Sequence, residues 1–399
     1  MSQSTNAFSA WYRPMRARHA GEEHRAASAL ELFFDLCFVA AVAQASSAFE
    51  HEIASGRAGH GLVGYALVFF AIWWAWMNFT WFASAYDTDD VPYRLLTLIQ
   101  IIGALVMASG AAEALEHGDF TFITWGYVVM RLAMVSQWLR AACTDRERRR
   151  SALRYAVGIL VLQVGWLVRL ALPVGGSVAG SVGGGTVTFA VLAVLELAVP
   201  VWAERAEGTT WHPQHIAERY GLFTLIVLGE SVMAAGLAVG SALDTHKDLG
   251  SVLPVALGGL LTVFALWWMY FAQDAPRRLR TQRTAMLWGY GHYVVFAAAA
   301  AVGAALAVNV AHVTGSRALT DVRAAAVYTV PVALFVTCVW LLHRRAARLS
   351  TAADVLPPAA ALAVLCLTFT PFAVLGTGVV ASLLVAGSVV LGRHGRVDE

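Results

Sequence analysis

Charge is scarce in this sequence. Only 14% of its 399 residues are Asp, Glu, Lys or Arg, against roughly 25% in an average soluble domain. With 58% hydrophobic residues and a mean hydropathy of +0.62, the chain carries more apolar surface than a water-soluble core would hide, so much of it is expected to face lipid. Cysteine is sparse too. Cys37, Cys143, Cys338 and Cys366 fall in apolar runs or in a basic loop, which speaks against a disulfide framework. There is no G-x-x-x-x-G-K-[ST] loop, no H-E-x-x-H and no C-x-x-C, so the common phosphate, zinc and dithiol chemistries lack their motifs. No cofactor, no metal site and no nucleic-acid partner is expected, and the chain does not read as an enzyme. The first 28 residues are polar, carry Arg13, Arg16, Arg18 and Arg25, and lead to no prompt small-residue cleavage site. The first apolar run is therefore expected to stay as a membrane helix.

What is present is a series of apolar stretches of bilayer-spanning length, about 20 residues each. They lie near 30–49, 62–82, 95–112, 120–139, 155–172, 186–203, 220–241, 252–271, 285–309, 324–342, 356–370 and 373–391. The expected fold is all-α: a polytopic membrane protein of about twelve transmembrane helices. Pro371 leaves a single broken helix as the alternative for the last two.

Basic residues give an independent check. With the N-terminus inside, 22 of the 28 lysines and arginines fall in inside segments, the densest being Arg140 to Arg154. Only Arg57, Lys247, Arg317 and Arg323 fall outside, while Arg131 and Arg169 fall within spans. This is the asymmetry of the positive-inside rule, and it places both termini in the cytoplasm.

The halves echo each other. WWAWMNFT (Trp73–Thr80) ends the second span and LWWMYFAQD (Leu266–Asp274) the eighth, and each follows an entry helix with a glutamate at its inner end, Glu31 or Glu218. Six spans per half make the repeats parallel. The expected organisation is a cytoplasmic tail (1–28), a first six-helix repeat (29–203), a cytoplasmic linker (204–218), a second repeat (219–391) and a cytoplasmic tail (392–399). The linker GGSVAGSVGGG (Gly175–Gly185) is read as flexible and external, and the tryptophans as an interfacial belt.

Charged groups at membrane depth are costly, by roughly 2.5–3.5 kcal/mol each, so each one is a candidate. In ELFFDLCFVAAVAQ, Glu31 and Asp35 share a helical face at i,i+4. Glu31 reads as a solvated, dipole-stabilising residue at the helix start, and Asp35, a turn deeper, as facing the interior. Glu230 in IVLGES sits near the bilayer centre, with an ion pair to Arg131 or Arg169 as its structural alternative. His292 in GYGHYVV is either a proton relay or a buried histidine bonded to a carbonyl. Glu196 reads as structural. Asn78, among tryptophans, marks a polar spot. Glu31, Asp35, Asn78, Arg131, Glu230 and His292 are thus the transport-path candidates. A cytoplasmic vestibule is assigned to Asp87, Asp89, Asp90, Arg94, Glu218 and Arg219. The acidic run of YDTDDVPYR would suit Mg²⁺ and a diphosphate, but the matching place in the second half has a single Asp274. Pairing with Arg94, Arg219 or the basic loops is the simpler role.

ELFFDLCFVAAVAQ, WWAWMNFTWFASAYDTDD and ERYGLFTLIVLGESVMA together resemble the bacterial low temperature requirement A family of multi-pass membrane proteins. The resemblance runs from about Glu31 to His312, and the WWMYF and GYGHYVVF segments fit it as well. It implies an inner-membrane protein connected with growth in the cold and supplies no biochemical activity. Where the family commonly has an aspartate after WW-x-YF, this chain has Ala272 and Gln273 before Asp274, and Cys37 stands for an aliphatic residue. FFDLCFVAAVA is also similar, over a dozen residues, to the F-S-D opening of two-repeat potassium channels, departing from it at Phe34.

The leading expectation is a transporter, proton-coupled, with a polar path between the repeats. Its partners would be the lipid bilayer and a small solute or ion, with oligomeric state left open. The alternatives are a non-transporting factor for growth in the cold, a monovalent cation channel, and an enzyme acting on a lipid diphosphate.

Overall fold

The computed structural model describes residues 11–18, 26–172, 184–244, 249–273, 275–276, 279, 281–316, 318–343 and 352–394. Asp274, most of the Gly175–Gly185 linker and the arginines at 277, 278, 280, 344, 345 and 348 lie outside them.

The described chain is helical. In order the helices are α1 (Ala29–Ala54), α2 (Ala58–Tyr86), α3 (Val91–Ser109), α4 (Ala111–Glu116), α5 (Thr121–Thr144), α6 (Arg149–Ala171), α7 (Gly184–Glu204), α8 (Pro213–Asp244), α9 (Leu249–Phe271), α10 (Gln282–Val313), α11 (Asp321–His343), α12 (Ala352–Leu367) and α13 (Ala373–His394). Ten helices among the described residues, all but α4, α5 and α12, are long and apolar enough to cross a membrane. At 1.5 Å per residue a run of about 20 residues matches the ~30 Å hydrocarbon layer.

Several boundaries differ from the apolar runs. The run 95–112 breaks at Gly110, whose N–H turns back 3.2 Å to the Met107 carbonyl, and α4 follows. Asp90 accepts from the Tyr93 N–H at 2.9 Å and so caps α3, with Pro92 in its first turn; an aspartate cap before a proline is a strong start signal. The last apolar region forms two helices packed on each other, α12 and α13. The segment read as a linker, 204–218, is already helical from Pro213.

The chain divides into two compact units. The first holds residues 1–48 and 59–220, and the second 49–58 and 221–399. Both α1 and α8 run from one unit into the other. In the first, α3 packs on α5, α5 on α6 and α6 on α7. The α3–α5 crossing depends on two glycines, since a Cβ at Gly126 would lie 2.5 Å from the Gly103 carbonyl oxygen. Glycine permits such backbone approach in membranes. In the second unit, α9 packs on α10 and α13, α10 on α11, α11 on α12 and α12 on α13.

Tryptophan placement departs from a simple belt. Trp73, Trp74 and Trp76 are fully buried, whereas Trp267 and Trp268, at the echoing place in α9, are exposed. An indole N–H keeps a membrane interior position when something accepts its hydrogen bond. For Trp74 and Trp76 carboxylates do so.

Candidate functional site

Among the described residues of the first unit, two charge clusters are buried on both sides, and α2 runs past each. The first is built on the opening turn of α1. Ser28 and Glu31 cap the helix reciprocally: the Ser28 N–H donates to Glu31 Oε2 at 2.7 Å, and the Glu31 N–H to Ser28 Oγ at 3.3 Å. This S-x-x-E box turns the other oxygen of Glu31 towards α8. There Oε1 lies 2.9 Å from Arg219 Nη1 and 3.0 Å from His215 Nε2. One turn on, Asp35 accepts from Arg219 Nε at 2.9 Å, from Arg219 Nη2 at 2.6 Å and from the Trp76 indole at 2.6 Å.

The geometry follows from spacing. Glu31 and Asp35 are four residues apart on α1, and so are His215 and Arg219 on α8, so an acidic and a basic stripe face one another. The guanidinium fork suits two acceptors at once. Arg219 also stands over the Phe79 ring at 5.8 Å. Tyr220 closes one side, its ring edge-on to Trp76 at 4.9 Å and its hydroxyl accepting from Trp81 at 3.1 Å. Glu31, Asp35, His215 and Arg219 are all buried.

The second pair joins Arg131 of α5 to Glu196 of α7, both buried. Glu196 further accepts from Trp74 at 3.0 Å and Trp166 at 3.2 Å, and Arg131 lies 4.9 Å over the Tyr127 ring. Trp74 and Trp76 are two residues apart, on opposite faces of α2. Each indole thus completes a different buried carboxylate, which accounts for the W-A-W spacing.

The remaining candidates disperse. Asn78 donates to the Trp74 carbonyl of its own helix at 2.7 Å. Asp87 meets Arg18 at 3.4 Å. Asp89 accepts from Arg94 at 2.7 and 2.8 Å, and these hydrogen bonds hold its carboxyl below the usual aspartate range. Asp90 combines its cap with bonds from the Arg13 N–H at 2.9 Å and Arg140 at 2.7 Å. The three aspartates therefore point to three different basic partners, and Arg219 is none of them. Among the described residues, no group of three or more His, Cys, Asp or Glu could hold a metal ion. Glu218 is exposed beside the buried Arg219.

In the second unit, His292 bonds through Nδ1 to the Trp288 carbonyl at 2.7 Å and through Nε2 to the Tyr270 hydroxyl at 2.9 Å. Trp288 in turn donates to His343 Nε2 at 3.3 Å, and His343 Nδ1 meets the Val339 carbonyl at 2.8 Å. With each Nδ1–H on a carbonyl, both Nε2 atoms accept, as neutral imidazoles do. Glu230 is half-buried, with no ion pair or hydrogen bond among the described residues.

Sequence reasoning missed His215, Tyr270 and His343, and it assigned Glu196 no partner. His215 had a signal, the H-x-x-x-R spacing that complements E-x-x-x-D. The others had none.

The long apolar helices and the buried charge pairs define a polytopic helical membrane protein. The chain matches the family described as bacterial low temperature requirement A protein over residues 26–390, and it belongs to that family. It is similar to the uncharacterized protein RA0937 of Rhizobium meliloti (strain 1021), with 29% identity over 295 residues, 69% of this chain and 67% of the relative. No solved structure matches it.

Proposed function

We propose that this protein is a proton-linked transporter of a small solute in the bacterial cytoplasmic membrane. The observation that carries the reading is the charge balance at Arg219. Two buried carboxylates, Glu31 and Asp35, meet one guanidinium, and a buried charge without compensation is costly. Neutrality is reached when His215, 3.0 Å from Glu31, holds a proton. Histidine is the side chain that exchanges a proton near neutral pH, so the cluster is suited to loading and releasing one. Glu230 on α8 is assigned a second protonation step, as an intramembrane carboxylate with no described counter-charge.

Twelve spans in two parallel six-helix repeats, with both termini inside, complete the proposal. Supporting it are the ten long apolar helices, α5 with its 24 residues and its arginine neutralised by Glu196, and the clustering of basic residues in alternate connections. Asp87, Asp89, Asp90, Arg94, Glu218 and Arg219 are kept as the inner mouth, with Asn78 and Arg131 along the path.

The test is reconstitution into proteoliposomes loaded with a pH-sensitive dye and challenged with a panel of small organic ions, sugars and amino acids under an imposed pH gradient. Saturable, solute-dependent proton movement is expected, lost in His215→Gln and reduced in Glu230→Gln. Unitary conductance without saturation would mean a monovalent cation channel instead. Vesicles behaving as protein-free controls across the panel would leave a non-transporting factor for growth in the cold.

A further inference from the structure

Residues 11–18, WYRPMRAR, cross the end of the first unit where α2 finishes, α3 starts and α5 finishes. The Arg13 N–H donates to Asp90 at 2.9 Å, and the Met15 carbonyl accepts from Thr144 Oγ1 at 2.8 Å. The Arg18 N–H donates to the Ala85 carbonyl at 3.0 Å, and Arg18 Nη1 to Asp87 at 3.4 Å. The Tyr12 ring lies 5.3 Å from the Arg140 guanidinium. Pro14 suits this path, because the residue before a proline is pushed towards extended backbone. Met15 is 1% exposed, whereas Trp11, Tyr12, Arg13 and Arg16 are exposed. One apolar side chain is thus pressed into the helix ends, with a polar fastening on either side of it.

What lies beneath is polar. Arg140 gives Nη2 to Asp90 at 2.7 Å, but its Nε and Nη1 are buried and meet no acceptor among the described residues. One turn deeper on α5, Gln137 is fully buried and neither atom of its amide is bonded there. On α3, which packs on α5, Nε2 of the buried Gln100 also has no acceptor among the described residues.

Buried donors and acceptors without partners are costly, and water is the partner they lose. Closure of this segment therefore balances opposing terms. Burial of Met15 and the fastenings to Asp87 and Asp90 favour it. Exclusion of water from the guanidinium and the amide opposes it. A segment held by few apolar contacts over unsatisfied groups is the kind that opens locally while the rest of the fold stays intact.

We infer that residues 11–18 are a reversible lid on the first unit. Closed, they seal Arg140 and Gln137 from solution; open, they admit water to both. The inference does not rest on transport, because accessibility is measured without flux.

The test uses the chain in nanodiscs, in a background of Cys37→Ala, Cys143→Ala, Cys338→Ala and Cys366→Ala. Gln137→Cys is challenged with a charged, water-soluble methanethiosulfonate. Its reaction is expected to be slow under the closed lid. It is expected to run about tenfold or more faster with Met15→Asp added, the order of what burying one methionine is worth, and likewise with residues 2–18 deleted. Gln163→Cys, buried on α6, is expected to react at one rate in all three backgrounds, which separates opening of the lid from loosening of the whole unit. In the unsubstituted chain, hydrogen exchange is expected to find the Arg13 and Arg18 amides better protected than that of the exposed Arg16. Equal reaction of Gln137→Cys in all three backgrounds, acceleration of Gln163→Cys alongside it, or Arg13 and Arg18 amides exchanging as fast as Arg16 would each overturn the inference.

Discussion

Arg219 grips Asp35 with two hydrogen bonds, 2.9 Å from Nε and 2.6 Å from Nη2, while its remaining nitrogen stands 2.9 Å from Glu31. One side chain therefore compensates two buried acids. Arg219→Met strands both, and removing one partner of a buried pair costs roughly 3–5 kcal/mol. Arg219→Lys is expected to recover only part, because an ammonium cannot reproduce the fork. Thermal melting of purified protein in detergent reads the difference; a melting temperature for Arg219→Met equal to wild type would show that the cluster contributes nothing to stability.

The Arg131–Glu196 pair gives a double-mutant cycle. Glu196→Gln leaves a buried guanidinium without its counter-charge, and Arg131→Met leaves a buried carboxylate. The double variant removes both charges, and apolar or neutral replacement of a whole buried pair is often tolerated. It is expected to melt above either single variant. Additive losses would mean that the two side chains act independently.

The indoles of α2 make a graded set. Trp74→Phe and Trp76→Phe each keep a ring and delete one hydrogen bond to a buried carboxylate, worth about 1.5–3 kcal/mol when the partner is charged. Trp267→Phe on α9 changes an exposed ring and is expected to leave the melting temperature nearly unchanged. Equal effects at all three positions would restore the reading of these tryptophans as a uniform interfacial belt.

Asp89 and Asp90 are adjacent and differ in kind. Asp89 has φ +48° and an exposed partner in Arg94, so Asp89→Gly removes a weak surface pair and relieves a left-handed backbone. Its carboxyl is held below the ordinary range, so the small stabilisation it provides is present at neutral pH and fades as pH falls through that lowered value. Asp90 caps α3 and binds Arg140; losing the cap alone costs about 1 kcal/mol. Melts at neutral pH are expected to rank Asp90→Ala well below Asp89→Gly, and the reverse order would refute the assignment of the cap.

Sequence alone determined the membrane class, the helical fold and the place of nearly every long helix, because hydropathy and helix length are local properties set by the bilayer's thickness. It also marked Glu31, Asp35 and Arg131 as residues needing an explanation, since charge in an apolar run is visible at once, while Arg219 read as part of a cytoplasmic vestibule. Tertiary structure alone decided who compensates whom. Asp35 and Arg219 are 184 residues apart, Trp74 and Glu196 are 122, and no periodicity reports a partner at that distance. Glu31 shows the limit most clearly. Its position at a helix start suits a solvated acid, yet packing buries it, and only the arrival of α8 with a basic stripe in matching register makes that burial tolerable.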